Sequence, residues 1–279
     1  MSNAPIGIFD SGIGGLTVAS AIRKLLPNES TIYFGDTARV PYGPKSPETV
    51  RRYAREILDW LLAQQVKAVV IACNTVTAHA LDDLRSRSPV PVIGVIEPGA
   101  RAAARATTRG KVGVIGTAGT IASGAYPRAL LHARPDLQVT DRACPLFVPL
   151  VEEGWLDHEA TRLVAEEYLA PMRQAGIDAL VLGCTHYPML KPLLRRVMGD
   201  EVQLIDSAEE TARELADLLV ELGLAAGVNS DATERWVATD DAARFARVGA
   251  VFMDGSLAPV EVVDLGGDAR SGEGREVYP

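Results

Sequence analysis

Ala179-Leu180-Val181-Leu182-Gly183-Cys184-Thr185-His186-Tyr187-Pro188 is the stretch on which the reading of this chain turns. An apolar run of β-formers ends at a glycine and then presents a thiol, a hydroxyl and an imidazole in three consecutive residues. Such a run reads as a central strand of a parallel sheet, and the residues after it fall at the carboxyl end, where open α/β sheets place their ligands. The stretch has a double in Ala68-Val69-Val70-Ile71-Ala72-Cys73-Asn74-Thr75. Two cysteines therefore close two equivalent strands.

The repetition extends on both sides. Residues 5–9, 32–34, 68–72 and 92–96 read as strands, with helical periodicity over 19–26, 47–64, 76–87 and 98–106. A second series comes after them, with strands over 111–115, 139–142, 179–182 and 202–205 and helices over 122–132, 161–174 and 190–197. Ser11 and Thr117 are 106 residues apart, the two cysteines 111, and Glu97 and Asp206 109. A nearly constant offset across three strand ends predicts a duplicated α/β unit. A helix over 209–222 and a β-rich, short-elemented region over 236–263 come last, too small for a core of their own. The tail is therefore expected to return to the first unit. The expected fold is α/β, with two pseudo-symmetric domains of mainly parallel sheet flanked by helices: residues 1–96 plus 208–279, and residues 97–207, with the site between them. Residues after Gly266 are glycine-rich and charged, and read as poorly ordered.

The 279 residues, 47% hydrophobic and 23% charged, are long for one compact core and fit two ordinary globular domains. A net charge of −8 without a Lys/Arg cluster argues against a nucleic-acid face. No leader pattern and no apolar run of about 18 residues is present, so the reading is a cytoplasmic protein without a membrane partner. Three cysteines are too few for a disulfide framework, and Cys144 reads as a small buried residue.

Several motifs carry chemistry. The loop Asp10-Ser11-Gly12-Ile13-Gly14-Gly15 departs from the dinucleotide fingerprint because Thr17 stands at the third glycine's place. Its glycines suit a tight turn, which leaves Asp10 and Ser11 at the strand tip as site candidates. Cys73 and Cys184 each precede a polar residue, and each is expected to open a helix whose terminal amides favour a thiolate. No metal is expected, because C-x-x-C and H-x-x-x-H spacings are absent. His186, two residues after a thiol, is either a core histidine or an acid/base partner. Glu152, after an apolar stretch, is either a water-facing acid or a member of the site. Tyr42 and Gly43 come after a third strand end, in turn-rich sequence.

Two thiols on opposed units could flank one carbon, one removing a proton and the other delivering one. Asp10 then belongs near the first thiol, and Glu152 with His186 near the second. Ser11, Asn74, Thr75, Thr117, Thr120 and Thr185 are neutral groups at strand tips and helix starts, suited to holding carboxylates. None of the lysines (Lys24, Lys45, Lys67, Lys111, Lys191) joins the strand-tip set, so no pyridoxal cofactor is expected.

Through Phe9-Asp10-Ser11-Gly12-Ile13-Gly14-Gly15, Gly35-Asp36-Thr37-Ala38-Arg39-Val40-Pro41-Tyr42-Gly43, Ala72-Cys73-Asn74-Thr75 and Gly183-Cys184-Thr185-His186-Tyr187-Pro188, the chain resembles the glutamate racemases of the cofactor-independent aspartate/glutamate racemase superfamily. The resemblance implies interconversion of L- and D-glutamate without a cofactor, for peptidoglycan synthesis, by a homodimer. It implies Cys73 and Cys184 as the two bases, with Asp10-Ser11, Tyr42-Gly43, Asn74-Thr75 and Thr185-His186 at the substrate. Aspartate racemase is the neighbouring alternative, typically with an acid where this chain has His186. Inhibition of DNA gyrase, a second activity of some members, is an alternative of another class.

Overall fold

The computed structural model describes residues 2–227, 231–253, 257, 259–265 and 277–278. Its first half runs β1 (Ile6–Asp10), α1 (Leu16–Leu25), β2 (Thr31–Gly35), α2 (Pro47–Ala63), β3 (Ala68–Ile71), α3 (Asn74–Arg87) and β4 (Val92–Gly94). Then come α4 (Ile96–Ala106), β5 (Lys111–Gly116), α5 (Ala118–Ala122), α6 (Ala125–Ala133), β6 (Gln138–Ala143), α7 (Phe147–Glu152) and α8 (Glu159–Ala175). The chain continues with β7 (Ala179–Gly183), α9 (Lys191–Met198), β8 (Gln203–Ile205), α10 (Ala208–Glu221), β9 (Glu234–Ala238), α11 (Ala242–Met253), β10 (Val260–Val262) and β11 (Val277–Tyr278).

The strands form two sheets, ordered β11-β10-β9-β2-β1-β3-β4 and β6-β5-β7-β8. The order β2-β1-β3-β4 of the first half recurs as β6-β5-β7-β8, all parallel, which is the internal repeat read from the strand ends. The last three strands extend the first sheet through β9, which pairs with β2, and only β11 runs antiparallel.

Both central strands are buried along their whole length, β1 as Ile-Gly-Ile-Phe-Asp and β7 as Ala-Leu-Val-Leu-Gly. Helices on both faces demand this, and each fully buried aliphatic side chain contributes about 1.5–3 kcal/mol. In β1, Ile6 and Ile8 belong to one core and Phe9 to the other, as alternation requires. Local signals set the helix ends. Ser46 caps α2 by accepting from Thr49 N ahead of Pro47, and α8 ends at Gly176 with φ +65°. At the opposite end of the first sheet from the strand tips, Lys67 pairs with Glu29 at 2.5 Å and donates to Ser2 O and Leu224 O, which ties the returning chain down.

Three expectations need correction. The region over 236–263 is not wholly β-rich, because α11 occupies its middle. Residues 122–132 are not one helix: α5 and α6 are separated by Gly124 at φ +64°, a conformation glycine adopts without steric cost. Cys184 does not open an α-helix. After it come a turn and a 3₁₀ segment, Tyr187–Leu190, before α9 begins. The expectation for residues after Gly266 lies outside the described residues, apart from β11.

Candidate active site

The carboxyl ends of the two sheets meet. Thr75 Oγ1 lies 2.9 Å from Thr117 Oγ1 and 3.3 Å from Thr120 Oγ1, so α3 of the first half is hydrogen-bonded to α5 of the second. Gly119 N donates to Gly43 O at 2.9 Å, and the buried Tyr126 hydroxyl donates to Asn74 Oδ1 at 2.7 Å. These bonds border a cavity of about 40 Å³, smaller than an amino acid.

Cys73 and Cys184 both line it, together with Ser11, Tyr42, Gly43, Asn74, Thr75, Thr117, Glu152, Thr185 and His186. Of the remaining candidates, Thr120 is buried behind Thr75 and Thr117, and Asp10 is buried behind the glycine loop. Cys144 is wholly buried away from the cavity, its thiol directed at Arg142 O.

The two thiols sit in different electrostatic surroundings. Cys73 is the N-cap of α3 and its thiol donates to Ser11 Oγ at 3.7 Å. Burial and then the nearby Asp10 carboxylate push it up to about 12, against the Val76 N–H and Ser11, so the lowering expected from the helix terminus does not prevail. Asp10 is itself raised by burial, opposed by His186 and by amides of the glycine loop. Its Oδ2 accepts from Gly12 N at 2.9 Å, and Oδ1 has no partner among the described residues.

Cys184 faces His186 Nδ1 at 3.9 Å, and His186 Nε2 lies 3.0 Å from Glu152 Oε1. Burial acts to lower the imidazole, but its bonds to Cys184 and Glu152 and the charges of Cys184 and Asp10 outweigh that and push it up to about 10. Glu152 is held below the usual carboxylate range, first by its bond with His186 and further by Arg244. Gly14 permits this arrangement: a Cβ there would lie 2.5 Å from His186 Nδ1 and against Thr185 Oγ1.

The Tyr42 loop is fixed from below. The Tyr42 hydroxyl donates to Asp36 Oδ2, Arg39 Nε donates to the same oxygen at 2.7 Å, and Thr239 Oγ1 donates to Oδ1 at 3.0 Å. Burial and Asp36 together raise the Tyr42 phenol, keeping it a neutral donor. Among the described residues no group of three or more His, Cys, Asp or Glu forms a metal-binding set. No helix among them is long and apolar enough to cross a membrane.

Sequence reasoning quoted Gly12, Asp36, Val40 and Pro41 within motifs but gave them no site role, and it missed Val148 in the cavity wall and Tyr126 and Arg244 behind it. Val148 carried a usable signal, standing four residues before Glu152 on the same helix face. Arg244 carried none.

Comparison with known proteins gives the family. The family model for Asp/Glu/hydantoin racemases matches residues 16–215. The chain belongs to the Asp/Glu/hydantoin racemase family. Within it, a glutamate racemase of Geobacter metallireducens is 54% identical over 260 residues, 93% of this chain and 96% of its own length. The crystal structure of glutamate racemase isoform RacE1 from Bacillus anthracis superposes with a TM-score of 0.91 at 41% identity, covering 95% of this chain and 99% of that one. The Francisella tularensis glutamate racemase, crystallised with D-glutamate, gives 0.89 at 40% identity with the same coverage. This member of the racemase family is thus an isomerase, and glutamate racemases are what it matches along its length.

Proposed function

We propose that the chain interconverts L- and D-glutamate by a cofactor-independent transfer of the α-proton between two thiols. The observation that carries this reading is that Cys73 and Cys184, at equivalent strand ends of the two sheets, line one cavity. One thiolate takes the α-proton and becomes a thiol. The opposite thiol gives its proton to the other face of the same carbon and becomes a thiolate. The pair ends in the converse protonation state.

The surroundings favour one starting form. Cys73 beside Asp10 is held as a neutral thiol, the proton donor, while Cys184 faces an imidazolium anchored by Glu152. By the family resemblance, Cys184 is the thiol that accepts the proton of L-glutamate and Cys73 the one that supplies the new proton. Ser11, Asn74, Thr75, Thr117 and Thr185 present neutral donors for the two carboxylates, with Thr120 fixing the threonine cluster and Tyr42-Gly43 closing the wall. Because the cavity is smaller than glutamate, its wall must widen to admit the substrate.

The reading also includes a division into residues 1–96 with 208–279 and residues 97–207 and a cytoplasmic location, both taken from the sequence pattern, and a homodimer and a supply of D-glutamate for peptidoglycan, taken from the family resemblance. Purified protein without added cofactor is expected to abolish the optical rotation of L-glutamate and leave that of L-aspartate unchanged. Retained rotation of L-glutamate would refute the reading.

A further inference from the structure

Glu152 has two carboxylate oxygens and they serve different partners. Oε1 faces His186 Nε2 at 3.0 Å, and Oε2 accepts from Arg244 Nη2 at 3.2 Å. Glu152 lies on α7 beside the second sheet, whereas Arg244 lies in the first turn of α11, between β9 and β10 of the first sheet. The ion pair therefore crosses from one half of the molecule to the other at the wall of the cavity.

The backbone that carries Arg244 is held in place. Arg244 N donates to Asp241 Oδ1 at 2.9 Å, and Asp240 N in turn donates to Thr37 Oγ1 at 2.8 Å. Thr239, next in line, holds Asp36 through its hydroxyl, and Asp36 accepts from Tyr42. The start of α11 is thus fixed to the loop that carries Tyr42 and Gly43. The far end of α11 reaches the same histidine, since the Phe252 ring meets His186 edge-on with centroids 5.9 Å apart. A carboxylate held at one oxygen only can rotate about its last bond, and holding the second oxygen removes that freedom.

We propose that Arg244 is a positioning residue for the reaction: by binding Glu152 Oε2 from the opposite half, it aims Oε1 at His186 and so orients the imidazole that serves Cys184. This rests on the two-thiol reading. Its effect falls on the Cys184 side of the reaction and spares the Cys73 side, where Asp10 and Ser11 are the neighbours.

The test compares Arg244→Ala and Arg244→Lys with the unaltered enzyme, using L- and D-glutamate carrying deuterium at Cα. Because the two enantiomers are equally stable in water, kcat/KM must fall equally in both directions, and a half-exposed charged hydrogen bond predicts a loss of about three- to tenfold for Arg244→Ala. The isotope effects separate a positioning role from a structural one. Slower transfer at Cys184 makes proton removal from L-glutamate more rate-limiting, so the isotope effect on kcat/KM rises from the L side. From the D side, removal by Cys73 becomes less limiting and the isotope effect falls. Arg244→Lys is expected to recover part of both changes, and Arg244→Ala placed on Glu152→Gln is expected to add nothing further.

A kcat/KM within about twofold of the unaltered enzyme would overturn the proposal. So would a fall in activity with both isotope effects unchanged, which is the mark of lost folded protein. Substantial racemisation by Cys184→Ala would instead overturn the two-thiol reading, and the proposal with it.

Discussion

His186 Nε2 stands 3.0 Å from Glu152 Oε1 across 34 residues of sequence, and the imidazole's other nitrogen faces Cys184. A histidine protonated at both nitrogens satisfies both neighbours at once, and the upward shift of His186 to about 10 expresses that. On the other side of the cavity Cys73 has a carboxylate, Asp10, and no imidazole. The duplicated fold supplies two equivalent thiol positions, and unequal neighbours make them different.

Replacing either thiol tests that division directly. Cys73→Ala and Cys184→Ala are each expected to reduce racemisation by roughly 10²- to 10⁴-fold or more, the scale of a lost acid/base group. Circular dichroism should remain that of the unaltered protein, because alanine fills most of a small buried site. Substantial activity in either variant would contradict a two-thiol reaction.

Asp10→Asn is expected to raise the melting temperature at pH 7 while lowering activity. Burial raises the Asp10 carboxyl, so its contribution to stability is full below its ordinary value of 3.8 and is lost as pH rises through the higher folded value. At neutral pH the charged group is a net cost, and asparagine removes that charge. Melting curves at neutral and acidic pH check the sign, since the gain should vanish below the ordinary carboxylate value.

Glu152→Gln addresses the opposite shift. His186 is raised, so its stabilising contribution is present below the ordinary value of 6.5 and is lost as pH rises through about 10. Without the anionic partner, His186 should lose its proton at lower pH. The alkaline fall in kcat/KM should begin earlier than in the unaltered protein, and the fall in melting temperature above pH 6.5 should be smaller and complete at lower pH. Glu152 itself is lowered, so its own contribution is lost as pH falls, and the variant should also be less acid-sensitive. Unchanged alkaline limbs would show that Glu152 does not hold the imidazole.

The parallel strands were legible because burial on both faces leaves an unbroken apolar run, and the thiols were legible because each stands directly after such a run. Glu152 was readable only as a candidate, since nothing in its neighbourhood of sequence announces His186. Arg244 and Tyr126 were unreadable, because each reaches its partner from the other half of the molecule. The misreading of α11 has a different cause. Its Phe, Val and Gly content suggests strand, yet Ala242, Phe245, Gly249, Phe252 and Met253 are its buried residues, and that spacing is helical. Gly249 is there for packing: a Cβ would meet Leu16 Cδ1 at 2.8 Å and crowd Leu257.

The labelling pattern in D₂O is set by where the two thiols stand. If one thiolate removes the α-proton and a thiol on the opposite face supplies the replacement, the incoming hydrogen comes from a group that has exchanged with solvent. Product formed from L-glutamate should therefore carry deuterium at Cα from the first turnover. Recovered L-glutamate should stay largely protiated at low conversion, because a deuteron can return to the original face only after the abstracting thiol has itself exchanged. Burial of both thiols slows that exchange. Starting from D-glutamate the roles of the two thiols reverse and the pattern should be the same. A single base serving both faces predicts otherwise: either the original proton is carried into the product, or both enantiomers gain deuterium together. Mass spectrometry of the separated enantiomers at low conversion distinguishes these cases, and early deuterium in the recovered substrate at the level of the product would refute the two-thiol reaction.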